Sequence, residues 1–214
     1  MPSGRPERHL ANRRLARLLG LALLAVPLIA RAQAAPELHF QPGSSRAGFR
    51  VRLVWFQTVS GRFDDVQGGV RPDPLGHGAR VHARIRVRSV RVHPAHYRAR
   101  LLGPRFFDAS RYPYIRFRSD LIQMDDLRNG KHLHGWLTLH GITRPLTLQL
   151  SDSDCTGRGL DHCTLRLQGW IDRTRFGMHA YRALVHRRVR LDLVIRLQAD
   201  DPAPATSTQE DASR

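Results

Sequence analysis

Cysteine is nearly absent from this 214-residue chain. Its two copies, Cys155 and Cys163, are too few for a disulfide scaffold and lack zinc-finger spacing. No apolar run reaches the ~18 residues that span a bilayer. Without a fixed repeat or a sustained heptad, solenoids, collagen and coiled coils are excluded. No nucleophile elbow, phosphate loop or dinucleotide fingerprint appears. Acidic residues are scarce as well: 18 Asp and Glu stand against 35 Lys and Arg, a formal net charge of +17. At 41% hydrophobic residues, wholesale disorder is excluded too. The length suits one domain, or two small ones.

The first segment reads as an address. Arg5, Arg8, Arg13, Arg14 and Arg17 precede an uncharged stretch from Leu18 to Ala30, and Ala32-Gln33-Ala34 follows as a small-x-small cleavage site. A basic region, a short apolar region and such a site make a secretory signal peptide. Thirteen residues broken by Pro27 are too short for a membrane anchor. Removing residues 1–34 leaves 29 of the 35 basic and 17 of the 18 acidic residues, a net charge of +12. Residues 200–214 (DDPAPATSTQEDASR) carry almost no large apolar side chains and are expected to be a disordered tail. One folded unit, residues 35–199, remains, and it is expected to be periplasmic or secreted.

Alternation dominates that unit. Val81, Ala83, Ile85 and Val87 interleave with Arg80, His82, Arg84, Arg86 and Arg88. Ile115, Phe117, Ser119 and Leu121 alternate with Arg116, Arg118 and Asp120, and Val189 to Leu197 repeats the pattern. Weaker cases are Phe49/Val51/Leu53, Leu133/Gly135/Leu137/Leu139, Leu146/Leu148/Leu150 and Leu165/Leu167/Gly169/Ile171, with a further strand near 62–70. A period of two puts one apolar and one polar face on each strand. About eight such strands suit an antiparallel sheet rather than a parallel one. Gly68-Gly69, Pro72-Asp73-Pro74, Asn129-Gly130, Gly141 and Gly157-Arg158-Gly159 read as turns. The stretch 96–107 breaks the rhythm and is expected to hold a short helix around Tyr97–Leu102. A sandwich and a closed barrel both cover the dry faces, and closure removes exposed edges. Small inward residues (Gly135, Gly169, Ala83 and Ser119) are expected to leave room inside.

Chemistry-bearing residues are sparse. Cys155 and Cys163 bracket a loop and, in an oxidising compartment, are expected to form a structural disulfide. His132 and His134 share one side of a strand, but no third ligand is fixed, so no metal and no cofactor are expected. Asp64 and Asp65 are adjacent and, in a strand, would point to opposite faces. No catalytic constellation is evident. The Arg-rich outer faces suit solvent or anionic lipid headgroups. No stacking platform points to nucleic acid. Trp136 and Trp170 share parity with the polar residues and fit an edge cap, a homodimer contact or a membrane interface.

Six segments then stand out in order. They are Ser45-Arg46-Ala47-Gly48-Phe49-Arg50-Val51 with Val59-Ser60-Gly61-Arg62-Phe63, Leu101-Leu102-Gly103-Pro104-Arg105-Phe106-Phe107-Asp108, Tyr112-Pro113-Tyr114-Ile115-Arg116-Phe117-Arg118-Ser119, the stretch from Gly135 to Pro145, and Arg173-Thr174-Arg175-Phe176-Gly177-Met178. With them the chain resembles the YceI-like family, periplasmic or secreted lipocalin-like barrels that bind polyisoprenoids and other long amphiphiles. The family's histidine before the first serine is replaced by Ser44, a second histidine is missing near Leu53-Val54, and its His-Leu pair reads Arg100-Leu101. A headgroup contact through those histidines is therefore not carried over.

The resemblance implies an all-β, antiparallel up-and-down barrel of about eight strands with one short helix near 96–103. It also implies a tunnel for an isoprenoid, quinone or fatty-acyl tail. The expected wall is Phe49, Val51, Leu53, Ile85, Val87, Phe117, Leu137, Leu139, Leu191 and Leu193. Phe106, Phe107, Phe176 and Met178 are expected to shape a mouth or a plug. The functional expectation is a non-enzymatic carrier with a basic outside that meets anionic membranes. Two alternatives stay open: an enzyme on a lipid or quinone using His132, His134 or His140, and a stress-related barrel with a filled core.

Overall fold

The computed structural model describes residues 37–199 apart from 55–56, 124–125, 127–131 and 156–161. The expected signal peptide, the C-terminal tail, the Asn129-Gly130 turn and the Gly157-Arg158-Gly159 loop lie outside the described residues. Among those described, the chain forms β1 (Leu38–Phe40), β2 (Arg46–Leu53), β3 (Thr58–Phe63), β4 (Val66–Pro72), β5 (Ala79–Arg86) and β6 (Val90–His93). Helix α1 (Tyr97–Leu102) follows, then β7 (Tyr114–Ser119), β8 (His132–Leu139), β9 (Ile142–Cys155), β10 (Cys163–Asp172) and β11 (Val185–Ala199).

All strands join one sheet in the order β1-β4-β5-β7-β8-β9-β10-β11-β2-β3-β6, and β1 also pairs with β11. That last pairing closes the wall. Three pairs of short strands are halves of longer bent ones. β1 and β2 both lie against β11, β4 and β3 continue the next position, and β5 and β6 the one after. The result is a closed eight-stranded antiparallel barrel with one short helix, the all-β up-and-down architecture expected of the sequence. β8 shows why it forms: Leu133, Gly135, Leu137 and Leu139 are buried, while His132, His134 and Trp136 are exposed. Closing the sheet puts the first set inside and leaves the second in water.

The bends are built from short polar contacts. Asp64 and Asp65 sit at the break between β3 and β4, not within a strand. The Ser89 hydroxyl accepts from the Asp65 amide at 3.1 Å and donates to the Arg86 carbonyl at 2.7 Å. It thereby ties this break to the 3-10 turn Val87–Ser89 that separates β5 from β6. β8 and β9 meet in a two-residue turn, His140-Gly141, with φ of 52° and 74°. Positive φ at both central positions is the type I′ geometry whose twist matches that of paired strands. α1 lies along β6, where Arg98 donates to the carbonyls of Val90 (3.0 Å) and Arg88 (2.8 Å). The guanidinium thus occupies acceptors at the start of β6 and in the 3-10 turn before it, and among the described residues β6 pairs only with β3.

Several expectations need correction. The strand expected near 62–70 is broken at Asp64-Asp65, and the one over 80–88 ends at Arg86. Gly68-Gly69 is no turn: both residues lie within β4, where a Cβ on Gly68 would come within 2.9 Å of the Phe40 ring. Gly135 and Gly169 do not leave room either. A Cβ on Gly135 would lie 2.7 Å from the Ser119 Cα, and one on Gly169 would lie 2.8 Å from the Leu148 side chain. These glycines let neighbouring groups approach closely.

Candidate functional site

The barrel interior is not filled. It contains a cavity of about 160 Å³ lined by inward side chains from the strands, from α1 and the segment after it, and from the turn after β10. Of the expected wall, Phe49 and Val51 (β2), Ile85 (β5), Phe117 (β7), Leu137 and Leu139 (β8), and Leu191 and Leu193 (β11) line this space. Leu53 and Val87 do not. Leu53 lies half-buried at the end of β2 opposite Val185, and Val87 is packed in the 3-10 turn at 1% exposure. The bend after Arg86 takes Val87 out of the alternation that placed it on the wall.

The aromatic quartet divides. Phe106, Phe107 and Met178 border the cavity, whereas Phe176 is buried in the 3-10 turn Arg173–Phe176 away from it. Phe107 packs on Phe49 and Phe63 with ring centroids 6.1 and 5.5 Å apart. Phe106 stacks on the half-exposed Tyr181 at 6.1 Å. The carbonyl of Phe176 accepts from His140 Nδ1 at 3.1 Å. Further lining residues, among them Phe40, Phe63, Val66, Val70, Leu146 and Leu167, lie outside the expected wall, although alternation marks Leu146 and Leu167.

One lining residue is charged. Arg173 follows β10, is 3% exposed and borders the cavity, and the other lining residues among those described are all apolar or glycine. Its Nε donates to the His186 carbonyl (3.1 Å), Nη1 to that of Met178 (2.6 Å) and Nη2 to that of Val185 (2.9 Å). Burial pushes its pKa down, as does the Arg182 charge, while the Asp172 charge opposes them. A guanidinium so far above neutrality stays protonated regardless. The residue opens the segment Arg173–Met178 but carries no apolar or periodic signal. Its convergence on three carbonyls is long-range and invisible in the local pattern.

The histidines are elsewhere. His132 and His134 are exposed on the outer face of β8, their rings 6.1 Å apart. His134 shares a hydrogen bond with the Thr147 hydroxyl. His140 sits in the β8–β9 turn against the Tyr112 ring, at 4.9 Å. None borders the cavity. Among the described residues no group of three His, Cys, Asp or Glu is placed to hold a metal. Cys155 and Cys163 are disulfide-bonded across the ends of β9 and β10. Trp136 and Trp170 are exposed on the outside, and the Arg188 guanidinium lies 4.5 Å over the Trp170 ring.

The model of the YceI-like domain matches residues 38–197, the whole barrel. The chain belongs to the YceI-like family. A curated UPF0312 protein of Yersinia pestis is 29% identical over 147 residues, which is 67% of this chain and 74% of that protein. Among solved structures, Burkholderia cenocepacia BcnA superposes with a TM-score of 0.63 at 20% identity, covering 73% of this chain and 98% of that one. A polyisoprenoid-binding domain from Saccharophagus degradans, implicated in plant cell wall breakdown, gives 0.53 at 16% identity, covering 77% and 99%. At these identities the structures speak for the YceI-like fold.

Proposed function

We propose that this YceI-like protein is a non-enzymatic carrier that holds the tail of a long apolar amphiphile inside its barrel. The observation that carries the reading is the interior cavity, whose described lining is apolar except at Arg173. An apolar cavity of about 150 Å³ takes up a benzene-sized group, so about 160 Å³ admits roughly six carbons, about one isoprene unit of a tail. At ~0.8 kcal/mol per buried methylene this is worth roughly 5 kcal/mol before the cost of association. The Saccharophagus domain binds polyisoprenoids, the same ligand class. Phe49, Val51, Ile85, Phe117, Leu137, Leu139, Leu191 and Leu193 serve as wall, and Phe106, Phe107 and Met178 as its closing end. The disulfide suits an oxidising compartment, which supports a periplasmic or secreted setting. Trp136, Trp170 and the outer arginines give the carrier a face for anionic membrane.

The test is organic extraction of the purified protein followed by mass spectrometry. An isoprenoid, quinone or acyl lipid in stoichiometric amount is expected. A lipid-free extract, together with failure of the protein to take up farnesol, leaves a barrel whose gap is only a packing defect.

A further inference from the structure

Among the described residues, four arginine pairs face each other in register on the outer wall, and three of them include an acid. Asp192 binds both Arg50 and Arg190, Asp64 binds both Arg62 and Arg91, and Glu37 holds Arg71 opposite Arg80. Each acid offsets the repulsion of like charges set directly opposite. The fourth pair, Arg84 on β5 and Arg116 on β7, has no acid. Both guanidiniums lie over the Tyr114 ring, and Arg84 donates to the Gln67 side-chain oxygen at 2.9 Å, but neither partner is charged. Arg118 follows on the same face of β7, opposite His82 and Trp136, and no described carboxylate pairs with it either. These three arginines border a groove of about 590 Å³ on the outside of the barrel, between β5, β7 and β8. No aspartate or glutamate lines it. Its far rim carries the half-exposed Trp136 ring and the hydroxyls of Thr138 and Thr143, 2.8 Å apart.

We infer that this groove receives the phosphodiester of an anionic phospholipid and docks the barrel, side wall first, on a membrane surface. This rests on the membrane-facing part of the carrier reading and gives it a place on the wall. The phosphate takes the position that an acid holds in the other three pairs, and guanidinium forks match its oxygens. An indole beside it suits the headgroup layer, because its body is apolar and its N–H is wet. The two hydroxyls bond to each other and keep lone pairs and a proton for glycerol and ester oxygens. A small soluble anion would use the arginines and leave the indole idle.

Cosedimentation of the full-length, delipidated protein with vesicles tests this. Phosphatidylcholine vesicles holding about a quarter phosphatidylglycerol are expected to bind about tenfold or more tighter than phosphatidylcholine alone. Arg84→Gln/Arg116→Gln/Arg118→Gln is expected to lose most of that gain. Arg46→Gln/Arg52→Gln/Arg196→Gln removes the same charge from exposed positions on β2 and β11. It is expected to stay within about threefold of the parent. Trp136→Ala is expected to weaken binding even at ~500 mM salt, where the arginines are screened. The unfolding midpoint reports whether each barrel is intact. Equal losses in the two triple variants overturn the groove and leave a diffuse basic surface. Trp136→Ala binding like the parent at high salt overturns it as well. Displacement by millimolar glycerol 3-phosphate, but not by chloride at equal ionic strength, makes this a free-anion site and overturns the membrane assignment. If the parent shows no preference for phosphatidylglycerol, the groove and the membrane-facing wall fall together. Farnesol uptake by the same proteins reports on the carrier reading separately.

Discussion

Asp172 ends β10 and accepts from the Thr174 amide (2.9 Å) and hydroxyl (2.6 Å) with one carboxylate oxygen. Burial pushes its pKa up, but those hydrogen bonds and the charges of Arg187 and Arg175 outweigh it and hold the carboxyl below its ordinary 3.8. A carboxyl with a depressed native pKa adds stability above its unfolded value and loses it as pH falls through the native one. Asp172→Asn keeps an oxygen acceptor but loses the charge, and is therefore expected to cost about 1 kcal/mol at neutral pH, the margin of a charge-assisted hydrogen bond over a neutral one. The gap to the parent should close as pH drops below about 3.8, which urea unfolding across pH would reveal. A constant gap at all pH values would mean that the charge plays no part. Asp172 also places the turn that carries Arg173. Neither role can be read from the sequence. Arg173 and Arg175 flank Thr174 in the same basic run, yet one is buried and the other exposed. The difference comes from carbonyls as far as thirteen residues away.

At the level of elements, legibility follows side-chain contrast. β8 is readable because apolar and polar residues alternate along its length. β4 is not, because Gly68 and Gly69 present no side chain to alternate and resemble a turn. The short α1 is readable as a break in rhythm, and its position at Tyr97–Leu102 coincides with the expected one. The ends of β9 and β10 are another case. Cys155 and Cys163 are directly opposite in register and bonded, so the two strands run on to the cysteines themselves. Cys155→Ser/Cys163→Ser is expected to cost about 2.5 kcal/mol, the loop-closure value for so short a segment. A shift in the denaturant midpoint with unchanged slope would match this. The same shift should follow when the parent is reduced. No shift in either experiment would show that strand pairing alone holds this end.

For the whole molecule, two balances matter. Outside, arginines face arginines across neighbouring strands, an arrangement that repels. Asp192 lies between the register partners Arg50 and Arg190 and binds both, and Asp64 does the same for Arg62 and Arg91. Arg84 and Arg116 instead share the Tyr114 ring, at 4.9 and 5.8 Å. Inside, closure of the barrel leaves space that its own side chains do not reach. Ala47 and Ala83 are the smallest side chains on that wall. The pair Ala47→Leu/Ala83→Leu, adding about three carbons each, is expected to reduce co-purified lipid severalfold. The overpacking cost should stay within ~1–3 kcal/mol per site, as lipid analysis and thermal unfolding would measure. Unchanged lipid content would move the ligand out of the cavity. The wet and dry faces of the alternating strands and the single helix were legible along the chain, because hydropathy that repeats every second residue is a local property. How wide the interior stays, which glycines admit a neighbour's backbone, and where one arginine borders the cavity were settled only in three dimensions. Those depend on contacts between residues far apart in the chain, and no local period encodes them.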